Sequence, residues 1–152
     1  MIPTTARRVP DHTADHVNQQ IREHTRRNVE RVAAQGVAAV DRRLRELDAE
    51  WDVERTLEAN AATLTAVGSV LALLVDRRFA LVPLVVGSFL LQHAVQGWCP
   101  PLPVFRRLGF RTQTEIDEEK AALKALRGDF RDVGGDTTPR HQAADALAAA
   151  RG

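Results

Sequence analysis

The sequence predicts an all-α integral membrane protein, and three observations carry that expectation. Two apolar runs, Ala61 to Val75 and Phe79 to Val95, are separated only by Asp76-Arg77-Arg78. A long proline-free stretch from Asp11 to Arg78 carries apolar residues at helical spacing among dense charge. Just past the second run, Pro100, Pro101 and Pro103 end any helix by removing donors and forcing extended geometry on their neighbours. The expected architecture is a transmembrane helical hairpin over residues 59–98, with a long N-terminal amphipathic or coiled-coil helix before it and a short C-terminal helix after it.

Composition sets few limits on function. The 152 residues hold 21 basic and 20 acidic side chains, a net charge of +1, so no global pull toward nucleic acid is expected. The single cysteine excludes an intrachain disulfide. No apolar segment follows Arg7 and Arg8, so a cleavable secretory signal is not expected and membrane insertion falls to the hairpin itself.

Residues 1–10, with Pro3 and Pro10, read as a flexible lead-in. Residues 11–58 form a helical arm whose Val40, Leu44, Leu47 and Trp51 are spaced 4, 3 and 4, a stripe on one face. Three burials suit that stripe: a homo-oligomeric coiled coil, the membrane surface with Trp51 near the headgroups, or the protein's own chain. Gly36 is a soft point in the arm, costing about 1 kcal/mol relative to alanine.

In the hairpin, the first run spans about 22 Å at 1.5 Å per residue, short of a standard membrane crossing. Arg77 and Arg78 in the turn ease this by reaching out of the hydrocarbon. Ala62 with Ala66, and Gly68 with Ala72, offer small residues four apart for close helix approach. The second run has no polar face, and Pro83 fits it if the helix begins there. Arg55, Arg106, Arg107 and Arg111 at the outer ends, against two arginines in the turn, put both termini in the cytoplasm.

Residues 99–111 form a Cys-Pro elbow and an interfacial segment, with Trp98, Arg106 and Arg107 at headgroup level. Thr112 and Glu115 resemble a capping box opening a helix over residues 112–128, which Gly128 ends. Asp117, Glu118 and Glu119 suit the helix start electrostatically and are expected to be solvated. Residues 129–152 read as a flexible tail with a linker at residues 133–139.

The order apolar helix, turn, apolar helix, Gly97-Trp98-Cys99-Pro100, Leu102 and Leu108-Gly109 resembles the YgaP-like transmembrane-domain (DUF2892-type) family of small bacterial inner-membrane proteins. The resemblance covers about residues 59–110. It implies a multi-pass location in the bacterial inner membrane with the lipid bilayer as partner. Some relatives carry a rhodanese domain; its absence here leaves no sulfurtransferase activity to carry over.

Candidate chemistry is sparse. Cys99 is a candidate thiol, and His93 with Cys99 is a candidate soft-metal pair that needs a second chain to complete four ligands. His12 and His16, four apart beside Asp15, form a weaker metal pair. No phosphate loop, catalytic carboxylate pair or His-Glu-x-x-His motif is present, so no catalytic residue and no cofactor is assigned. The functional expectation is therefore a membrane-anchored scaffold that self-associates through its helices as a homo-oligomer. Two alternatives stand beside it: a sulfur-relay or soft-metal factor using Cys99, and a soluble helical oligomer with the hairpins buried in its core.

Overall fold

The computed structural model describes residue 4, residues 7–131, residue 133 and residues 139–151. The start of the lead-in, most of the linker at residues 133–139 and residue 152 lie outside the described residues. Helices α1 Asp15–Ala34, α2 Val37–Ala49, α3 Val53–Leu74, α4 Leu81–Gln96, α5 Leu102–Arg107, α6 Gln113–Arg127 and α7 Pro139–Arg151 follow in chain order. The all-α expectation holds, and two stretches, Val37–Leu74 and Arg77–Gln96, are long and apolar enough to cross a membrane by length and composition alone.

The arm is not one helix. It breaks at Gly36, whose φ of 84° lies outside helical geometry, and again at Glu50, where the backbone turns extended. Asp52 then restarts the chain, its Oδ1 accepting from the Arg55 N–H at 2.6 Å, a cap worth about 1 kcal/mol. Asp76 does the same for the hairpin turn, accepting from the Arg78 N–H at 2.7 Å ahead of a 3-10 turn over Arg77–Ala80. Because α4 begins at Leu81, Pro83 falls in its first turn and forfeits no helical hydrogen bond.

The chain divides into two packed units. The first comprises residues 1–21 and 51–113. Its core is Val9, Val53, Leu57, Cys99 and Leu102, with Phe105 and Phe110 packed against it. The two phenyl rings meet edge to face with centroids 5.6 Å apart. Arg106 is 1% exposed, and its guanidinium donates to Thr13 Oγ1, Asn18 Oδ1 and the Phe110 carbonyl at 3.0–3.2 Å.

The second unit comprises residues 22–50 and 114–152. Val32, Ala39, Val40, Leu44 and Leu47 close on Ile116 and Leu123 of α6 in one cluster. Ion pairs join α2 to α6 at Arg43–Glu119 (2.8 Å), Asp48–Lys120 (2.8 Å) and Asp41–Arg127 (2.6 Å). The Lys124 ammonium donates to the Ala150 carbonyl of α7 at 2.6 Å.

These contacts correct the membrane-anchored reading. Val40, Leu44 and Leu47 are buried by the protein's own α6, so the stripe packs neither as a homo-oligomeric coiled coil nor on a lipid surface. Arg106 turns inward rather than to a phosphate, and Arg55 lies 4.3 Å over the Trp51 ring. The root of the hairpin is built into a helical core with the N-terminal segment, where an anchored hairpin would stand apart from its arms. The membrane-anchored scaffold, the bilayer as partner and the multi-pass inner-membrane location with cytoplasmic termini give way to internally packed helical units.

Candidate functional site

Within the first unit, α3 and α4 run antiparallel and meet where Gly68 leaves room for a neighbour. A Cβ on Gly68 would stand 2.8 Å from Val82 Cβ and 2.9 Å from Pro83 Cδ. Ala72, four residues on, is half-buried, while Arg77 and Arg78 in the turn are exposed. Exposed hydroxyls on the two helices bond back along the chain, Thr63 to the Ala59 carbonyl and Ser88 to the Leu84 carbonyl.

At the root of the hairpin, α4 ends on Gly97 in the left-handed region, φ 80°, with its N–H on the His93 carbonyl at 2.7 Å. A Cβ there would come within 2.5 Å of the Arg8 carbonyl oxygen. The N-terminal segment therefore lies directly against the helix end, and Arg8 Nη1 donates to the Ala94 carbonyl at 2.9 Å, satisfying an acceptor of the last turn. Trp98 is half-buried beside it and Arg107 is exposed on α5.

A cavity of about 260 Å³ opens between the lower halves of the two helices and the elbow. Leu57, Ala61 and Leu64 of α3, Phe89 and His93 of α4, and Cys99 of the elbow are among its walls. His93 and Cys99, distant from most of the chain's polar groups in sequence, thus share one wall system. His93 is 5% exposed, and neither Nδ1 nor Nε2 has a hydrogen-bond partner. Burial and, second, the charge of Arg8 push its pKa below the usual histidine value, which favours the neutral ring.

Cys99 is 4% exposed and burial pushes its thiol pKa up, away from the thiolate that sulfur transfer or metal ligation requires. Among the described residues, no three His, Cys, Asp or Glu side chains stand close enough to hold a metal, so neither the Cys99 pair nor His12 with His16 forms a centre. The sulfur-relay and soft-metal alternative falls with these two findings.

Two residues outside the sequence-based candidates stand out in the same unit, one of them, Asn60, on the cavity wall. Glu54, in the first turn of α3, is raised above the usual carboxyl range by burial, with Arg8 and Arg106 opposing. Asn60 stands on the cavity wall, its amide donating to the Thr56 carbonyl at 2.8 Å. Neither sits in a motif, and Arg8 reaches His93 across a sequence separation that no local pattern records.

No family model, curated protein or solved structure matches the chain, so the comparisons add no relative to the reading of residues 59–110.

Proposed function

We propose that this chain is a self-associating helical module in which the α3–α4 hairpins of two copies bury one another. One observation carries the proposal: both helices present large apolar side chains outward at spacings of three, four and seven. On α3 these are Val67, Val70 and Leu74; on α4 they are Leu81, Leu84, Leu91 and Val95, all 46–80% exposed. Contiguous apolar patches beyond a few hundred Å² are rare on monomers. Three-and-four spacing is what two helices need to interdigitate at about 20°, and two antiparallel pairs joined this way make a four-helix bundle.

A second copy suits the surface better than an unlike partner. No charged residue lies between Glu58 and Asp76 or between Arg78 and Arg106, so nothing on the hairpin encodes an unlike, charged partner. An uncharged apolar face is complementary to itself under a two-fold axis. The order of Gly97-Trp98-Cys99-Pro100, Leu102 and Leu108-Gly109 after the hairpin also supports a distant kinship with the YgaP-like family, from which no activity is carried over.

The test is the mass of the full chain purified without detergent, by light scattering across micromolar concentrations. A defined species of twice the 16.8 kDa chain mass is expected, with Leu84→Glu and Leu91→Glu shifting it to the single-chain mass. A wild-type monomer throughout, or recovery only from membranes with detergent, overturns the proposal.

A further inference from the structure

The cavity at the hairpin root is apolar except for a few groups, and one of them is unusual. A buried imidazole with both nitrogens unsatisfied carries the desolvation penalty of each group uncompensated. Native interiors pair the large majority of such groups. The other walls, Leu57, Ala61, Leu64, Phe89 and the Cys99 thiol among them, offer a ligand contact area rather than charge, and the Asn60 amide on the wall already donates to the Thr56 carbonyl. No Asp, Glu, Lys or Arg lines the cavity.

We propose that this cavity is a binding site for a small neutral molecule, apolar over most of its surface, whose single hydroxyl or carbonyl group hydrogen-bonds to the His93 ring. The neutral ring carries one donor and one acceptor, so it accepts from a hydroxyl or donates to a carbonyl with equal ease. A charged head group would have to enter walls without a counter-charge, which is costly. Size follows from volume: a 150 Å³ apolar cavity holds benzene, so 260 Å³ fits about ten heavy atoms. Cys99, which lines the same cavity and is held as a thiol by burial, serves as a small polarisable wall and takes no part in chemistry.

The site goes beyond the proposed self-association and does not depend on it. All its walls belong to residues 57–105 of one chain, whether or not a second copy is docked.

The probes are 1-octanol, octane and octanoate, three eight-carbon molecules differing in the head group. Binding to the full-length protein is followed by calorimetry and by the ¹⁵N resonances of the His93 ring, assigned by their loss in His93→Gln. Light scattering on the same samples reads the assembly state, so a failure of association registers separately from a failure of binding. Octanol is expected to bind at least tenfold more tightly than octane or octanoate and to shift the His93 ring nitrogens.

Two variants from opposite walls guard against a misfolded protein. His93→Leu, which removes the polar handle, is expected to bring octanol affinity down roughly tenfold, to the level of octane. Ala61→Leu, which fills the cavity from α3 and leaves His93 in place, is expected to abolish binding at unchanged helix content. The proposal is overturned if octane binds as well as octanol, if the ring resonances do not respond, or if Ala61→Leu retains wild-type affinity. The last result would place the alcohol on the exposed hairpin face instead.

Discussion

Between α3 and α4 the contact is made by small size: Gly68 lets Val82 and Pro83 approach, and no ion pair crosses the hairpin among the described interactions. Between α2 and α6 the contact is made by side chains that reach, with Arg43 on Glu119, Lys120 on Asp48 and Arg127 on Asp41 bracketing Leu44, Leu47, Ile116 and Leu123. The second pair hides its apolar residues and seals them with ion pairs, of which Arg43 to Glu119 is itself buried on the Glu119 side. The first shows its apolar residues and hides a histidine. Similar helices at similar spacing therefore end up with opposite surfaces. Packed on each other, α2 and α6 leave only scattered apolar residues such as Val37 and Leu126 exposed, whereas α3 and α4 keep one face for each other and one for something else.

Breaking the charged pair is expected to have the largest effect. Arg43→Met removes the guanidinium held 2.8 Å from a carboxylate that is 0% exposed, and the loss is expected at about 3 kcal/mol in urea unfolding. Arg43 itself is held further above its normal pKa by Glu119, Glu46 and Glu50 against the opposing effect of burial, so the guanidinium stays charged throughout the accessible range.

The hairpin is expected to be nearly as sensitive, through shape rather than charge. Gly97→Ala must place a Cβ against the Arg8 carbonyl in a left-handed conformation, at a cost of roughly 3 kcal/mol and with loss of N-terminal packing visible in hydrogen exchange. Gly68→Ala pushes α4 away from α3 and is expected to cost about 2 kcal/mol, read in the same denaturation assay. A neutral result at Gly68 would show that α4 slides freely along α3, and would blur the contrast with α2 and α6.

The titration of His93 sharpens the comparison at smaller amplitude. Its pKa is lower in the folded protein than unfolded, so below about pH 6.5 the unfolded chain takes up a proton that the folded chain refuses. Folding stability must fall as pH drops through that range, with a slope of at most about 1.4 kcal/mol per pH unit for one group. Glu54 works in the opposite sense: its folded pKa is raised, so its contribution declines as pH rises above the ordinary carboxyl value. The His93 effect is isolated as the difference between wild type and His93→Gln, measured by urea unfolding from pH 7.5 to 5.

The smallest expected change in chain stability belongs to Leu84→Glu, because the side chain is already 64% exposed. Under conditions where the protein is monomeric, unfolding should move by no more than about 0.5 kcal/mol. A large loss there would mean that Leu84 is buried within the chain, and the contrast between the two helix pairs would fail.

Much of the local structure was legible. Asp76 and the two arginines gave a turn, Pro83 fell at the start of α4, and the Thr112–Glu115 pattern and Gly128 bracketed α6. The cavity was less legible: His93 and Cys99 drew attention as chemical groups, but their shared cavity depends on the elbow folding beneath α3 and α4. Glu119 was misjudged as solvated. Its spacing from Ile116 and Leu123, three and four residues, put it in the apolar stripe, and that spacing was the signal that charge alone obscured.

By itself, the sequence determined that the chain is all-α, where the hairpin turns, where α6 begins and ends and which faces need burial, because propensity, caps and periodicity act over a few residues; it showed neither the break at Glu50 nor the helix α7. Only the tertiary structure decided what covers each face. A stripe such as Val40, Leu44 and Leu47 states a demand for apolar contact, and Ile116 and Leu123, a second copy or lipid would each meet it with comparable free energy per area. The choice fell to contacts far apart in the chain, Arg43 with Glu119, Arg8 with Ala94 and Arg106 with Asn18, whose geometry exists only once the helices have met.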